Sequence, residues 1–206
     1  YRRQRQMCIR DRYYSQCGYG DGESDYVLSI RKGKNMDYDY IRENLSNVHE
    51  NIETACSKSG RDVDSVKLIA VSKTKPFEDL LAAYNAGERI FGENKVQEIC
   101  SKYERIGELP GAVFHLIGHL QTNKVRQVID KVAMIHSVDS LHLAQVIDKE
   151  AARAGLIMDI LIEVNVAEEE SKFGISCDEA GDLVRECAKL HNIHVCGPVS
   201  YTHLRA

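Results

Sequence analysis

The residue of this chain that is best suited to chemistry is a lysine that ends a short apolar run. Residues 66–76 read VKLIAVSKTKP, and the nearly continuous apolar stretch ends at Lys73. A run this short, with little polar alternation, predicts a strand that is covered on both faces, as in a parallel sheet. A lysine amine that is buried there tends to lose its proton, and it can then form a Schiff base with an aldehyde.

The same spacing also fits a lysine that points into solvent where the strand ends, with Lys75 and Pro76 opening a loop. Spacing alone does not separate these two interpretations. Further polar residues follow the later predicted strands in the same way, and they are Asn94, His119, Asp139 and Asn165. Because parallel α/β folds place their chemistry at the carboxyl ends of strands, we expect these side chains to share one edge with Lys73.

The elements that must position these residues alternate with little variation. An opening helix is predicted from apolar residues between Ile41 and Ala55, and Gly60 is its expected C-cap. After the strand that ends at Lys73, further strands are predicted at residues 89–93, 113–118, 132–138 and 159–165 and from residue 193. Helices are predicted between them, at residues 76–86, 94–106, 120–131, 140–154 and 178–190. Strict alternation indicates parallel β-α-β units.

Such units build either a doubly wound sheet or a barrel. A doubly wound sheet concentrates its site at one switch point, usually with a glycine-rich turn after the first strand, and no such turn follows Lys73. Polar residues on successive strand ends favour a barrel. The predicted fold is therefore α/β, a parallel (β/α)8 TIM-type barrel with an extra N-terminal helix. It is incomplete here, with about six of the eight strands.

Net charge, apolar run length and cysteine spacing exclude several classes of protein. The formal net charge is -4, from 27 basic and 31 acidic side chains, so nothing indicates a nucleic-acid partner. No apolar run approaches the length of a membrane span, so we expect no membrane partner. The 7 cysteines are scattered without a C-x-x-C pair, which predicts reduced thiols, a cytoplasmic location and no metal site.

The two ends do not share the pattern of the middle. Residues 1–35 are patternless, and their first twelve residues resemble translated sequencing-adapter sequence. We expect residues 1–35 to be a non-native or disordered head and residues 36–197 to form a partial barrel domain. Residues 198–206 read PVSYTHLRA, show no strand or helix period, and are expected to be a non-native tail after a C-terminal truncation.

Four ordered motifs carry a family resemblance over roughly residues 36–197. They are AVSKTKP at residues 70–76, FGENKVQE at 91–98, FHLIGHLQTNK at 114–124 and IEVNVAEEESKFGI at 162–175. Together they resemble the pyridoxal phosphate homeostasis proteins, the YggS-like family. The resemblance implies the fold of the alanine racemase barrel domain. Four motifs in matching order are far more specific than any one of them.

The resemblance also implies a cofactor site. Lys73 is expected to carry pyridoxal 5′-phosphate as a Schiff base, Asn94 to line the pocket, and Lys172 to approach the cofactor ring. A cation at Lys172 would stabilise negative charge on the ring, although a solvated lysine in an acidic loop is the alternative. His115 and Asn165 are the remaining cofactor-binding candidates, and the alternative for each is a hydrogen-bonded strand residue. The family's phosphate-binding residues come from the last two strands.

The motifs and the position of Lys73 leave three alternative functions. The first is a pyridoxal phosphate carrier in intracellular homeostasis, without substrate turnover, with apo pyridoxal phosphate enzymes as partners and a monomeric native state. The second is a pyridoxal phosphate racemase or lyase, which requires a second acid or base opposite Lys73, and the sequence identifies none. The third is a cofactor-free Schiff-base aldolase on the same fold.

Overall fold

The sheet is the centre of the fold. The computed structural model describes residues 38–166 and 173–200. In this part of the chain six strands form one sheet, and all neighbouring pairs are parallel. They are β1 (Ala70–Val71), β2 (Ile90–Glu93), β3 (Val113–Leu116), β4 (Val132–Val138), β5 (Met158–Glu163) and β6 (Ile193–Val199).

Helices separate the strands. They are α1 (Asp39–Ser59), α2 (Phe77–Asn85), α3 (Val96–Tyr103), α4 (Val125–Val128), α5 (Leu141–Ala154) and α6 (Cys177–Cys187). The predicted opening helix is confirmed, and Gly60 ends it in the left-handed conformation at φ 64°. Ser140 caps α5, accepting from the Leu143 N–H, because its hydroxyl satisfies an amide that the helix leaves unpaired. None of the described helices is long and apolar enough to cross a bilayer.

The spatial order of the strands is the order of the chain, from β1 to β6. A doubly wound sheet would reverse its strand order at a switch point, and no reversal occurs among the described strands. Strands that follow one another in a single direction are the arrangement of a barrel. The barrel prediction is confirmed in this sense, and the six described strands do not close on themselves.

Several predicted boundaries differ from the structure, and three differences are instructive. β1 pairs only at Ala70 and Val71, although the Ser72 N–H still donates to the Gly92 carbonyl at 2.9 Å. The helix predicted at residues 120–131 is a 3₁₀ turn at Thr122–Lys124 followed by the short α4, because threonine and asparagine favour turns over helix interiors. β6 continues past residue 197, with Pro198 beside Ile162, and an edge strand tolerates a proline.

The two faces of the sheet differ in character. The helices cover one face with fully buried apolar side chains, among them Phe91, Phe114, Leu116, Ile135, Ile160 and Ile162. Alternate residues of the same strands point to the opposite face, which corresponds to the inside of a barrel. That inner face carries His115, His136 and Asp159. It is therefore more polar than the helix-covered face.

Candidate functional site

Lys73 and Asn94 lie at the same edge of the sheet. Lys73 follows β1 and Asn94 follows β2, and the pairing of Val71 with Gly92 brings the two strand ends side by side. Lys73 is half-buried. The Asn94 Oδ1 atom is buried and receives no hydrogen bond from the described residues. A buried polar atom of this kind usually has a partner, so Oδ1 is available to a ligand at this edge.

The turn that carries Lys73 has an unusual backbone. Thr74 has φ 62°, the left-handed region, which is uncommon for a β-branched residue and costs about 1–2 kcal/mol. The turn is closed by the Lys75 N–H, which donates to the Ser72 carbonyl at 3.1 Å. The Thr74 N–H donates to Glu98 Oε2 on α3 at 2.8 Å. Because surrounding contacts hold the strained residue, the backbone of Lys73 is fixed from both sides.

A buried network of hydrogen bonds beneath this turn also holds the backbone next to Lys73. Lys102 on α3 donates from Nζ to the Ser72 carbonyl at 2.8 Å and to Glu93 Oε1 at 2.5 Å. The Ser72 hydroxyl donates to the same Glu93 oxygen at 2.6 Å. The Lys102 side chain is 10% exposed and that of Glu93 is 0% exposed. The residues on either side of Lys73 are therefore tied to α3, Ser72 through Lys102 and Thr74 through Glu98.

The two carboxyl groups of this network differ in their pKa. Burial raises the pKa of Glu93, and its contact with Glu98 raises it further. Burial alone would raise the pKa of Glu98, but the Thr74 N–H and the Glu93 carboxyl hold it below its ordinary value. Glu93 Oε2 receives no hydrogen bond from a described donor. The charge of the Glu93 carboxylate therefore depends on Lys102 and the Ser72 hydroxyl, whose hydrogen bonds lower its pKa against the effect of burial.

The loop after β3 packs directly on Asn94. A Cβ atom added to Gly118 would lie 2.4 Å from the Asn94 carbonyl oxygen and 2.7 Å from its Cα. Only glycine permits this approach. Next to it, His119 stacks on Phe173 with ring centroids 4.1 Å apart and planes at 15°. His119 Nδ1 is also 3.9 Å from Asp139 Oδ2, so three strand ends meet here.

His115 has its own partner on the inner face. Its Nδ1 lies 3.0 Å from Nε2 of His136, and both rings are buried. Burial lowers the pKa of His115 to about 4 and that of His136 to about 3. Both rings are therefore neutral at pH 7, one donating and the other accepting. His115 lies in β3, before the strand ends, and this pairing accounts for its burial.

Asn165 follows β5, and its backbone contacts Gly174 and Ile175. Its N–H donates to the Ile175 carbonyl at 2.8 Å, and Gly174, at φ 108°, passes so close that a Cβ would lie 2.8 Å from the Asn165 nitrogen. Asn165 therefore lies at the carboxyl edge with Lys73 and Asn94. Lys172 lies outside the described residues.

The network of Lys102, Glu93 and Glu98 was not predicted from the sequence. One signal was present, because Glu98 and Lys102 are four residues apart and share a helix face. A second was Glu93, an acidic residue that ends an apolar strand. Neither signal shows that these side chains meet beneath Lys73, since Ser72 is 30 residues from Lys102.

Comparison with known proteins places the chain in a family. The family described as "Alanine racemase, N-terminal domain" matches residues 44–205. The chain is 43% identical over 155 residues to a pyridoxal phosphate homeostasis protein of Aquifex aeolicus, covering 75% of this chain and 68% of that protein. The Haemophilus influenzae protein of the same name is 37% identical, with 76% of this chain and 65% of that protein covered. The matched part thus spans about two thirds of these relatives.

Solved structures with a similar fold support the same family. A protein of Bifidobacterium adolescentis has a TM-score of 0.75 at 32% identity, covering 84% of this chain and 75% of that one. PipY of Synechococcus elongatus, with pyridoxal phosphate bound, has a TM-score of 0.64 at 32% identity, with 75% and 72% covered. Alanine racemase of Clostridium difficile, at 17% identity and a TM-score of 0.61 over 80% of this chain and 40% of that one, shares the fold. The chain belongs to the alanine racemase N-terminal domain family and, within it, to the pyridoxal phosphate homeostasis proteins.

Proposed function

We propose that this protein binds pyridoxal 5′-phosphate through a Schiff base on Lys73 and serves in pyridoxal phosphate homeostasis as a carrier. The observation that carries the proposal is the fixed position of Lys73, half-buried on a strained turn at the carboxyl edge of the sheet. The relatives named above and the cofactor bound to PipY support the same ligand. When bound, the cofactor supplies an aldehyde, to which the Lys73 amine adds with loss of water.

The described residues fit one end of this ligand. Lys73 provides the amine, and the buried Oδ1 atom of Asn94 provides an acceptor without a described donor. Asn165 is at the same edge, and we retain it as a lining residue. His115 is the weaker candidate, because His136 already satisfies its Nδ1 atom. The role of Lys172 near the cofactor ring is proposed on the family motif alone.

Reduction and mass mapping test the proposal. The protein is mixed with pyridoxal phosphate, its visible absorbance is recorded, and borohydride then reduces any Schiff base to a stable bond. We expect a yellow protein and a single modified peptide that contains Lys73. Lys75→Ala serves as the matched control, because Lys75 lies in the same turn, and this variant should be modified as the native protein is.

Two outcomes would contradict the assignment. Labelling that persists in Lys73→Ala would mean that another lysine holds the cofactor. A colourless protein with an intact circular dichroism signal would mean that the described site is insufficient. Incubating the loaded protein with an apo pyridoxal phosphate enzyme tests the carrier role, since a carrier should restore activity to that enzyme.

A racemase or lyase is the alternative function, and a test must distinguish it from a carrier. Catalysis on an amino acid needs a second proton donor or acceptor across the ring from Lys73. A panel of amino acids, assayed for racemisation and decarboxylation with the loaded protein, should show no turnover. Turnover that is lost in Lys73→Ala would replace the carrier function by an enzymatic one. We further propose a cytoplasmic location and a monomeric state, which cell fractionation and light scattering test.

A further inference from the structure

Three side chains of different chemistry converge on the inner face of the sheet. Asp159 on β5 lies directly beside His194 on β6 in the register of the two strands. Its Oδ1 atom is 2.9 Å from His194 Nδ1, and Cys196 Sγ is 3.5 Å from the same nitrogen. All three atoms lie within 4.8 Å of one another. Thus a carboxylate oxygen, an imidazole nitrogen and a sulfur surround one point.

The backbone builds this convergence. His194 and Cys196 are two residues apart on one strand, the spacing that places side chains on a common face. The register shifts here, because Ile160 pairs with Val195 whereas Leu161 pairs with Gly197. Cys196 is therefore the extra residue of a β-bulge. Bulges redirect a side chain and are frequent next to functional sites.

A hydrogen bond between Asp159 and His194 would by itself account for two of these side chains. The Cys196 thiol adds weak hydrogen bonds, to the His194 carbonyl at 3.9 Å and to Asp159, and it brings a third ligand atom next to the same nitrogen. Zinc binds thiolate sulfur at about 2.3 Å and imidazole nitrogen or carboxylate oxygen at about 2.0–2.2 Å, so tetrahedral ligand atoms lie roughly 3.3–3.8 Å apart. The nitrogen-to-oxygen and nitrogen-to-sulfur distances of 2.9 and 3.5 Å lie close to this range, and the oxygen and sulfur atoms are within 4.8 Å of each other.

We propose that Asp159, His194 and Cys196 form a three-ligand site for a divalent transition-metal ion of the zinc type. Three residues supply three ligands, which leaves the fourth position of a tetrahedral ion open. One carboxylate and one thiolate balance the two charges of the ion. The site lies within the strands, away from the carboxyl edge where Lys73 lies, and does not depend on the pyridoxal phosphate proposal.

Binding should release a proton. Cysteine binds a metal ion as the thiolate, and an unperturbed thiol is mostly protonated at neutral pH. A metal ion therefore displaces the thiol proton, which makes its affinity increase with pH.

Titration with Co²⁺ and Zn²⁺ tests this site in the metal-free protein. We expect one Co²⁺ per chain, with a sulfur-to-cobalt charge-transfer band and release of a proton, and displacement of Co²⁺ by Zn²⁺. The band should disappear in Cys196→Ser. Asp159→Asn and His194→Gln should weaken binding about 100-fold or more, since loss of an outer-shell partner alone costs about 10–100-fold.

Two matched variants complete the test. Cys100→Ser and His191→Gln change a cysteine and a histidine elsewhere in the described chain, and they should bind Co²⁺ as the native protein does. A band that remains in Cys196→Ser, or that disappears in Cys100→Ser, overturns the proposal. So does the absence of any Co²⁺ signal at micromolar protein. The three site residues are partly exposed, so unfolding curves of their variants should match the native curve.

Discussion

Replacing Lys102 by methionine tests the buried network beneath Lys73. Lys102→Met keeps most of the length of the side chain but removes the ammonium that donates to Glu93 at 2.5 Å and to the Ser72 carbonyl at 2.8 Å. Because the Glu93 side chain is 0% exposed, its carboxyl group then has no cation and no water to stabilise a charge. We expect a large loss of stability.

The loss in the free energy of unfolding of Lys102→Met can be estimated in two ways. Removing one partner of a buried ion pair typically costs about 3–5 kcal/mol. Alternatively, the variant takes up a proton, and neutralising a carboxyl of ordinary pKa 4.5 at pH 7 costs about 3.4 kcal/mol at 1.36 kcal/mol per unit. The lost hydrogen bond to the Ser72 carbonyl adds about 1 kcal/mol. The free energy of unfolding should therefore fall by about 4 kcal/mol at pH 7.

The loss should shrink in acid. An acid whose pKa is raised in the folded state destabilises that state only as the pH rises above the pKa of the unfolded chain, here 4.5. At pH 5 the cost of protonation is about 0.7 kcal/mol, so the total loss should be about 2 kcal/mol. A carboxylate whose pKa is lowered by folding behaves in the opposite way, because its contribution to stability is lost as the pH falls.

Urea unfolding, followed by circular dichroism at pH 7 and pH 5, measures both values. Lys149→Met is the matched control, because Lys149 is exposed on α5, and we expect it to change stability by less than about 0.5 kcal/mol. A loss below about 1 kcal/mol at pH 7 would refute the view that Lys102 neutralises a buried carboxylate. A loss that is equal at both pH values would refute the proton-linked part of the argument.

Three further predictions use the same unfolding assay. Gly118→Ala should destabilise by about 3 kcal/mol, because the added methyl meets rigid backbone, whereas Gly107→Ala has open space and should stay within about 0.5 kcal/mol. Between pH 7 and pH 4 the native protein should lose about 6 kcal/mol more than a His115→Gln/His136→Gln variant, about 3 kcal/mol for each ring, because folded imidazoles with lowered pKa resist the proton that the unfolded chain accepts below about 6.5. Thr74→Asn should gain about 1 kcal/mol, since asparagine tolerates the left-handed conformation, and an unchanged urea midpoint would argue against strain at this turn.

Much of the fold was predictable because its signals are local. β4 has its predicted bounds, Val132–Val138, because an apolar run there lies between turn residues. Gly155 ends α5 in the left-handed conformation, as its place after the last periodic residue predicted. The length of β1 was not predictable, because among the described strands it pairs with β2 alone, and a local pattern does not show where that pairing stops.

The site was predictable only in part. The positions of Lys73, Asn94 and Asn165 at one edge follow from strand ends, which a sequence shows. The contact of Lys102 with Ser72 joins two elements across the core, and no local pattern specifies it. The histidine pair depends on the register of β3 and β4, which shifts between Phe114 and His115. A shift of one residue would turn His115 to the other face.

The chain-order arrangement of the strands bears on how the protein folds during synthesis. Each described strand after β1 pairs with the strand that precedes it, as Phe91 of β2 does with Ala70 of β1, so its pairing partner emerges from the ribosome first. The sequence separation between partners is one helical crossover, the shortest that a parallel pair permits. Low separation favours fast folding, and chains fold from the N-terminal side as they emerge. Because α3 precedes β3 in the chain, the supports of the turn that bears Lys73 leave the ribosome before β3 does.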